Sequence, residues 1–444
     1  MNNYEIESVA KIGGSSMADP LVPVEQLAYP GNEASIVVVS APGINLAIGH
    51  DHKLTNILES FSKRLTPSHE EAEFIQSQVA DIADQFDPDQ RNSDIQVVVD
   101  GVISDMVRWE RDGYPIMGLG ENWSARLFAA HTGREFVDAR HVIRFDREGN
   151  VDSEATYSAI TRELTNGGNY VVPGFYGSDN EGRIRLLDRG GSDTTGALIA
   201  AALHAGTYQV WSDVPGFLTA NPGQVPHSQL NEEVTRREAR EMYIGCEVLH
   251  RDVLRFLGAT AIPIHMRNTF DVPNAPGTIV RAERNWSARP IVGVVGTSNL
   301  AELALKEFGM NEQVGSTTDV FNILRDRGVS YEHAATSTDE LSIVFRREYQ
   351  YQLPLHLQGL RRPDRRANVQ PIGIVRIVGE GLANSGVLRS RTLGRIAAAF
   401  ADNDIGIFGM TDVPHSATLT FFVEDDPASV ARAIRVAHRT VFEV

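Results

Sequence analysis

Ala10–Ser16 reads AKIGGSS and follows directly on a strand. Two adjacent glycines let backbone amides approach an anion closely, and the serine hydroxyls add donors. Lys11, at the strand end, would set an ammonium over a transferred phosphate. The same residues also describe a tight strand–helix turn with a surface lysine. The lysine itself is uncommon here: the chain has only Lys11, Lys53, Lys63 and Lys306, and its remaining positive side chains are arginines.

Outward from that turn, short β-branched runs alternate with helical stretches. Ser35–Ser40 (SIVVVS), Ile95–Val99 (IQVVV), Tyr170–Val172, Gln209–Trp211 and Ile262–His265 read as buried strands. Asn122–His131, Thr194–Ala205 and Arg236–Leu257 read as helices. This alternation predicts an α/β fold, a mostly parallel sheet covered on both faces, over residues 1–285. Polar, turn-rich segments at Asn274–Gly277 and Ala282–Pro290 mark a boundary. Two β-α-β-β segments follow, at 290–350 and 368–444, opening on the similar strands IVGVVG and IGIVRIVG. The repeat predicts two paired ferredoxin-like modules. The connector Gln350–Ala367, rich in Arg, Pro and Leu, is expected to form no domain.

The totals agree with several domains and exclude some functions. A length of 444 residues exceeds one ordinary core. The net charge of −17 argues against a nucleic-acid partner, which requires clustered Lys and Arg. The single cysteine, Cys246, precludes an intrachain disulfide and fits a reducing compartment. The opening MNNYEIESVAKIGG lacks the pattern of a signal peptide, and no run approaches the ~18 apolar residues of a membrane helix. The expectation is a cytoplasmic protein with no membrane partner.

Three more stretches carry chemistry. Gly174–Thr195 ends in a second Gly-Gly turn, RGGSDTT, with a helix opening near Ser192. A helix N-terminus suits a carboxylate or phosphate, and Arg189 beside it could grip a carboxylate with two donors. Asp193 also fits a plain N-cap. Trp211–Gly223, WSDVPGFLTANPG, fits either a purine pocket or a loop. Gly118–Leu127, GLGENWSARL, places Glu121 at a helix start, where an acid complements the helix dipole or meets an ammonium group.

Together, and in this order, these elements resemble the amino-acid kinase family, specifically its aspartate kinases. The KFGG[ST]S signature stands at Lys11–Ser16 with Ile12 for Phe. SAxG is at Ser40–Gly43, GE at Gly120–Glu121, RGGSD at Arg189–Asp193 and W[ST]DVxG at Trp211–Gly216. VLH is at Val248–His250 and the RN-to-PGT close at Arg267–Thr278. SAPG, the element Lys53–Thr55 and PGFYG look closest to the monofunctional clostridial-type branch. Tandem C-terminal ACT modules are also that family's arrangement.

The resemblance implies ATP-dependent phosphorylation of an aspartate side chain, with Mg²⁺ held by phosphates and water. It implies Lys11, Asp193 and Ser40 at the reaction centre, and Gly13, Gly14 and Ser15 on the phosphates. Ser212, Asp213 and Phe217 would lie at the nucleotide. Thr55, Glu121, Phe175, Arg189 and Ser192 would hold the amino acid, Glu121 taking its ammonium and Arg189 its α-carboxylate. In the first ACT module, Met310, Gly315, Ser316, Glu332, Thr336 and Ser337 would meet a feedback amino acid, and the modules would form a homodimer. The chain departs from the pattern at Asn221–Gly223 (NPG for DPR), at Gly118 where a serine is usual, and at Glu247. These departures leave two other readings open: an enzyme for another amino-acid carboxylate, and a ligand-sensing pseudokinase.

Overall fold

The computed structural model describes residues 6–28, 31–44, 53–62, 69–164, 168–188, 190–246, 248–271, 275–350, 365–411, 413 and 415–443. The chain divides into two compact units. The first comprises Met1–Phe217, Leu230–Arg236 and Val248–Arg284; the second comprises Leu218–Gln229, Arg237–Glu247 and Asn285–Val444.

The first unit contains β1 (Ser8–Ile12), β2 (Ile36–Val39), β3 (Glu135–Phe136), β4 (Arg144–Phe145), β5 (Tyr170–Pro173), β6 (Tyr176–Asp179), β7 (Ile184–Leu186), β8 (Thr207–Ser212), β9 (Glu233–Thr235), β10 (Ile264–Asn268) and β11 (Thr278–Arg281). An eight-stranded sheet runs β3-β5-β2-β1-β8-β10-β11-β9, and β4, β6 and β7 form a small second sheet. In the large sheet only β10 and β11 pair antiparallel. β1, β2 and β5 are buried along their whole lengths, as befits parallel strands covered on both faces. Helix Gly191–Ala202 packs on β1, β2 and β8, and Leu119–Thr132 on β2, β3 and β5. Among the described residues no helix is long and apolar enough to cross a membrane.

Two expected elements differ. Ile95–Val99 is not a strand but part of helix Ser93–Arg111. Its buried residues Ile95, Val98, Val102, Met106 and Trp109 recur every three or four positions, while Val97 is exposed. Asn92 caps the helix, accepting from the N–H groups of Asp94 and Ile95. Arg236–Leu257 is two helices, Arg236–Met242 and Arg251–Leu257, the second capped by His250.

The second unit holds β12 (Gly293–Glu307), β13 (Tyr331–Thr336), β14 (Glu340–Arg346), β15 (Arg365–Val378), β16 (Gly409–Thr411) and β17 (Thr418–Val423). They form one sheet, β13-β14-β12-β15-β17-β16. β12 and β15 pair antiparallel from Gly293↔Val378 to Glu307↔Arg365, with an irregularity between Thr297 and Leu300. Two cores lie along this pair. Val294, Val375, Ile377 and Phe421 pack with Ile396, Phe400 and Ile434 of helices Gly386–Asp402 and Pro427–Phe442. Leu303, Leu305, Ile343 and Phe345 pack with Val320 and Leu324 of helix Thr318–Asp326. Each long strand therefore serves both cores, and the two modules interleave instead of following one another. Ala220 and Val225 belong to the first of these cores, which is why Leu218–Gln229 groups with the second unit. Residues 351–364 of the connector lie outside the described residues.

Candidate active site

Lys11 sits near the carboxyl end of β1, flanked by Val38 of β2 and Val210 of β8. The chain leaves β1 toward β2 and β5 on one side and later builds β8 and β10 on the other. Open α/β sheets bind ligands outside the strand ends at such a switch point. Lys11 is nearly buried, and its Nζ lies 2.9 Å from Oδ1 of Asp193, on the first turn of helix Gly191–Ala202. The two Gly-Gly turns recognised in the sequence thus meet at one ion pair.

The first turn is clamped by backbone. Gly13 N–H donates to the Trp211 carbonyl at 2.9 Å, and Gly43 N–H donates to the Gly14 carbonyl at 2.7 Å. A Cβ on Gly14 would stand 2.8 Å from the Ala41 carbonyl oxygen. These glycines let the ends of β1, β2 and β8 close on one another. Because Gly13's amide is engaged by Trp211, the amides of Gly14 and Ser15 are the turn groups left to meet an anion; neither has a hydrogen-bond partner among the described residues. Ser16 Oγ lies 2.6 Å from Thr269 Oγ1, a buried link to the end of β10 that the sequence reading missed. Ser40 is half-buried beside the turn, and its N–H donates to the Ile12 carbonyl.

Glu121 is 5% exposed, on the first turn of Leu119–Thr132. Burial pushes its carboxyl up to about 8, opposed by N–H donation from Ala41 and from its own backbone. Its Oε2 has no hydrogen-bond partner among the described residues. A buried acid left half-satisfied invites a cationic partner. Gly120 lets the surrounding elements close, since a Cβ there would meet Ala41 at 2.9 Å and Leu54 at 3.6 Å. Thr55, half-buried, begins the helix Leu54–Ser62 on this side. At Gly118 a Cβ would lie 3.1 Å from the Tyr176 ring and 3.2 Å from Trp109, so a serine there would press on both rings. Asn122 donates to Tyr176 OH, which donates to Asp138, a buried chain beside Glu121.

Ser192 is buried against Gly174. Phe175 holds a left-handed φ of 74°, and its carbonyl accepts from Leu187 N–H. Ser212 is half-buried, its Oγ turned to Val214, and Asp213 is exposed. Phe217 departs from expectation. Its ring is buried in the first unit, and its N–H donates to Thr278 Oγ1. It supports the loop after β8 without offering a face to a base. Arg189 and Glu247 lie outside the described residues. Asn221 accepts from Gly223 N–H, so NPG forms a side-chain-closed turn.

In the second unit, Met310 is a core residue packed with Leu303 and Leu305. Gly315, with φ of 80°, and half-buried Ser316 lie in the loop before helix Thr318–Asp326. That loop meets the β13–β14 turn holding Ser337, through Asn311 N–H on the Thr338 carbonyl and Gly309 N–H on Asp339. Thr336 and Ser337 are exposed there. Glu332 is at the other end of β13, roughly 13 Å along the strand, and faces Arg346 at 3.6 Å. The six residues therefore do not converge on one point.

A glycine-clamped turn and an ion pair joining it to a helix start lie at the carboxyl ends of the central parallel strands, with a buried acid in the same unit. The sequence profile of the amino acid kinase family matches residues 8–268, and the chain belongs to that family. It is similar to aspartokinase 3 of Bacillus subtilis, 26% identical over 98% of both chains. Chloroplastic aspartokinase 1 of Arabidopsis thaliana is 32% identical over 52% of this chain and 43% of its own. Among solved structures, the aspartate kinase of Clostridium acetobutylicum aligns with a TM-score of 0.79 at 25% identity, covering 98% of this chain and all of the other.

Proposed function

We propose that this chain phosphorylates the side-chain carboxylate of L-aspartate with ATP, giving 4-phospho-L-aspartate. The observation that carries the reading is the Lys11–Asp193 ion pair at the glycine turn, with, in the same unit, an oxygen of buried Glu121 that has no hydrogen-bond partner among the described residues. Full-length similarity to aspartokinases supports it.

The chemistry needs little beyond positioning and charge. A substrate carboxylate is already a nucleophile, so no strong base is required. Lys11 neutralises charge on the phosphoryl group, and Asp193 orients its ammonium. Glu121 receives the α-ammonium, and Arg189 takes the α-carboxylate. Among the described residues no group of three or more His, Cys, Asp or Glu could hold a metal. Mg²⁺ accompanying ATP would draw its ligands from phosphate oxygens and water, supplying charge neutralisation. A hydroxylamine-trapping assay across aspartate, glutamate and their amides tests the reading. ATP-dependent hydroxamate from aspartate is expected; amino-acid binding without turnover would overturn it in favour of a sensor.

The second unit is proposed to bind a feedback amino acid at the loop 308–317 and the β13–β14 turn, and to dimerise the chain. Open sheet edges at β13 and β16 support pairing. Inhibition by lysine, threonine and methionine, singly and in pairs, with mass measured by light scattering, decides both points. A monomer that none of them inhibits would remove this role.

A further inference from the structure

We propose that the second unit carries another ligand site, remote in sequence from the 308–317 loop, that binds an anion with an apolar body. A cavity of about 400 Å³ opens between helix Gly386–Asp402, the end of helix Pro427–Phe442 and the segment around Arg289. That volume is within the range of small-molecule sites. Its apolar lining comes from Ile291, Leu388, Ile396 and Phe442, and its polar lining includes Arg289, Arg391 and Arg395.

The placement follows helical spacing. Leu388, Thr392 and Ile396 recur every four residues and form one stripe. Arg391 and Arg395, also four apart, form the adjacent stripe. Like charges at that spacing repel and weaken a helix unless something offsets them. Among the described residues no Asp or Glu lines the cavity, although the chain carries a net charge of −17. Arg391 makes no ion pair or hydrogen bond with a described residue. Arg395 donates to the Thr440 carbonyl, which caps the end of helix Pro427–Phe442 and leaves further N–H groups on the guanidinium. Arg289 donates to Gln229 and stands 6.0 Å from the centre of the Phe442 ring. Three guanidiniums and an aromatic wall around an apolar floor match a carboxylate or phosphate attached to an aryl or branched aliphatic group.

Calorimetric titration of the full chain provides the test, with benzyl phosphate and phenylpyruvate as probes and inorganic phosphate and benzyl alcohol as controls. At least one of the two amphipathic anions is expected to bind, and which one binds identifies the headgroup. Both controls are expected to bind far more weakly. Arg391→Gln should weaken binding about tenfold or more, and Arg391→Gln with Arg395→Gln further still. These arginines are exposed, so the variants are expected to fold, which circular dichroism checks. Failure of both anions to bind at ~10 mM would overturn the proposal. So would inorganic phosphate binding as well as benzyl phosphate, or binding lost in Lys11→Ala but kept in the arginine variants.

Discussion

The Lys11 ammonium and the Asp193 carboxylate lie 2.9 Å apart although they come from two separate Gly-Gly turns far apart in the sequence. Strand β1 delivers one and a helix start delivers the other. Lys11→Ala and Lys11→Arg should each lower kcat by roughly 10²–10³-fold while leaving the circular dichroism spectrum unchanged. Arg is too broad and delocalised for a site shaped around a compact ammonium. Asp193→Asn should lower kcat less. Near-normal turnover in Lys11→Arg would end the case for this residue.

Glu121 gives a pH signature. Its folded-state carboxyl is raised by burial to about 8, from an ordinary 4.5. The folded chain thus holds this proton more tightly than the unfolded chain. The associated stability is present below about 4.5 and lost as pH rises through about 8. Urea midpoints of the ligand-free protein should fall across that window, by at most roughly 5 kcal/mol in stability. Glu121→Gln should flatten this part of the profile.

The same carboxyl links binding to protons. Below its raised value it is neutral, and an arriving α-ammonium would ionise it. Aspartate binding near neutral pH is therefore expected to release a proton. Calorimetry in buffers of differing ionisation enthalpy reads that release directly. Buffer-independent heats, or a KM for aspartate untouched in Glu121→Gln, would assign the ammonium elsewhere.

Gly14 and Gly43 have no room for side chains. A Cβ on either would come within 2.8 Å of a backbone oxygen across the turn. Gly14→Ala and Gly43→Ala should each cost about 1–3 kcal/mol in chemical denaturation, as overpacking does. Gly386→Ala, whose Cβ meets nothing within 4 Å, is the matched control and should be neutral or stabilising.

Asn92 offers a test of the helix that the sequence pattern disguised. Its side chain accepts from two amides at the start of Ser93–Arg111. Asn92→Ala should destabilise the chain by ~1 kcal/mol, and Asn92→Asp much less. Thermal melts of the three proteins measure the difference.

Most of the first unit was legible because its signals are local. A buried parallel strand shows as an unbroken apolar run, and the two Gly-Gly turns single out Lys11 and Asp193, which the structure pairs, while the helix start at Gly120–Glu121 singles out the buried Glu121. What failed depended on distant partners. Val97–Val99 looks like a strand until burial shows Val98 inward and Val97 outward. Phe217 was expected at a base, but its ring fills the core instead. Nothing near Gly14 says that Ala41 and Gly43 press on it. In the second unit the repeat was visible but the sharing of strands was not. Along β12 the core-facing phase changes from Val294 to Leu303 and Leu305 across the irregularity between Thr297 and Leu300, a handover that depends on pairing with β15.

That sharing has a consequence for how the C-terminal half can be inherited or engineered. β12 and β15 each contribute to both cores, so neither module is a cassette that can be removed by cutting the chain once. A graft that keeps both cores whole would have to exchange the β12–β15 pair entire. A smaller exchange must enter near the irregularity between Thr297 and Leu300 and leave at the facing stretch of β15, around Ile372–Ile374. Chimeras joined in the connector at 351–364 would instead give each core half of a foreign strand pair.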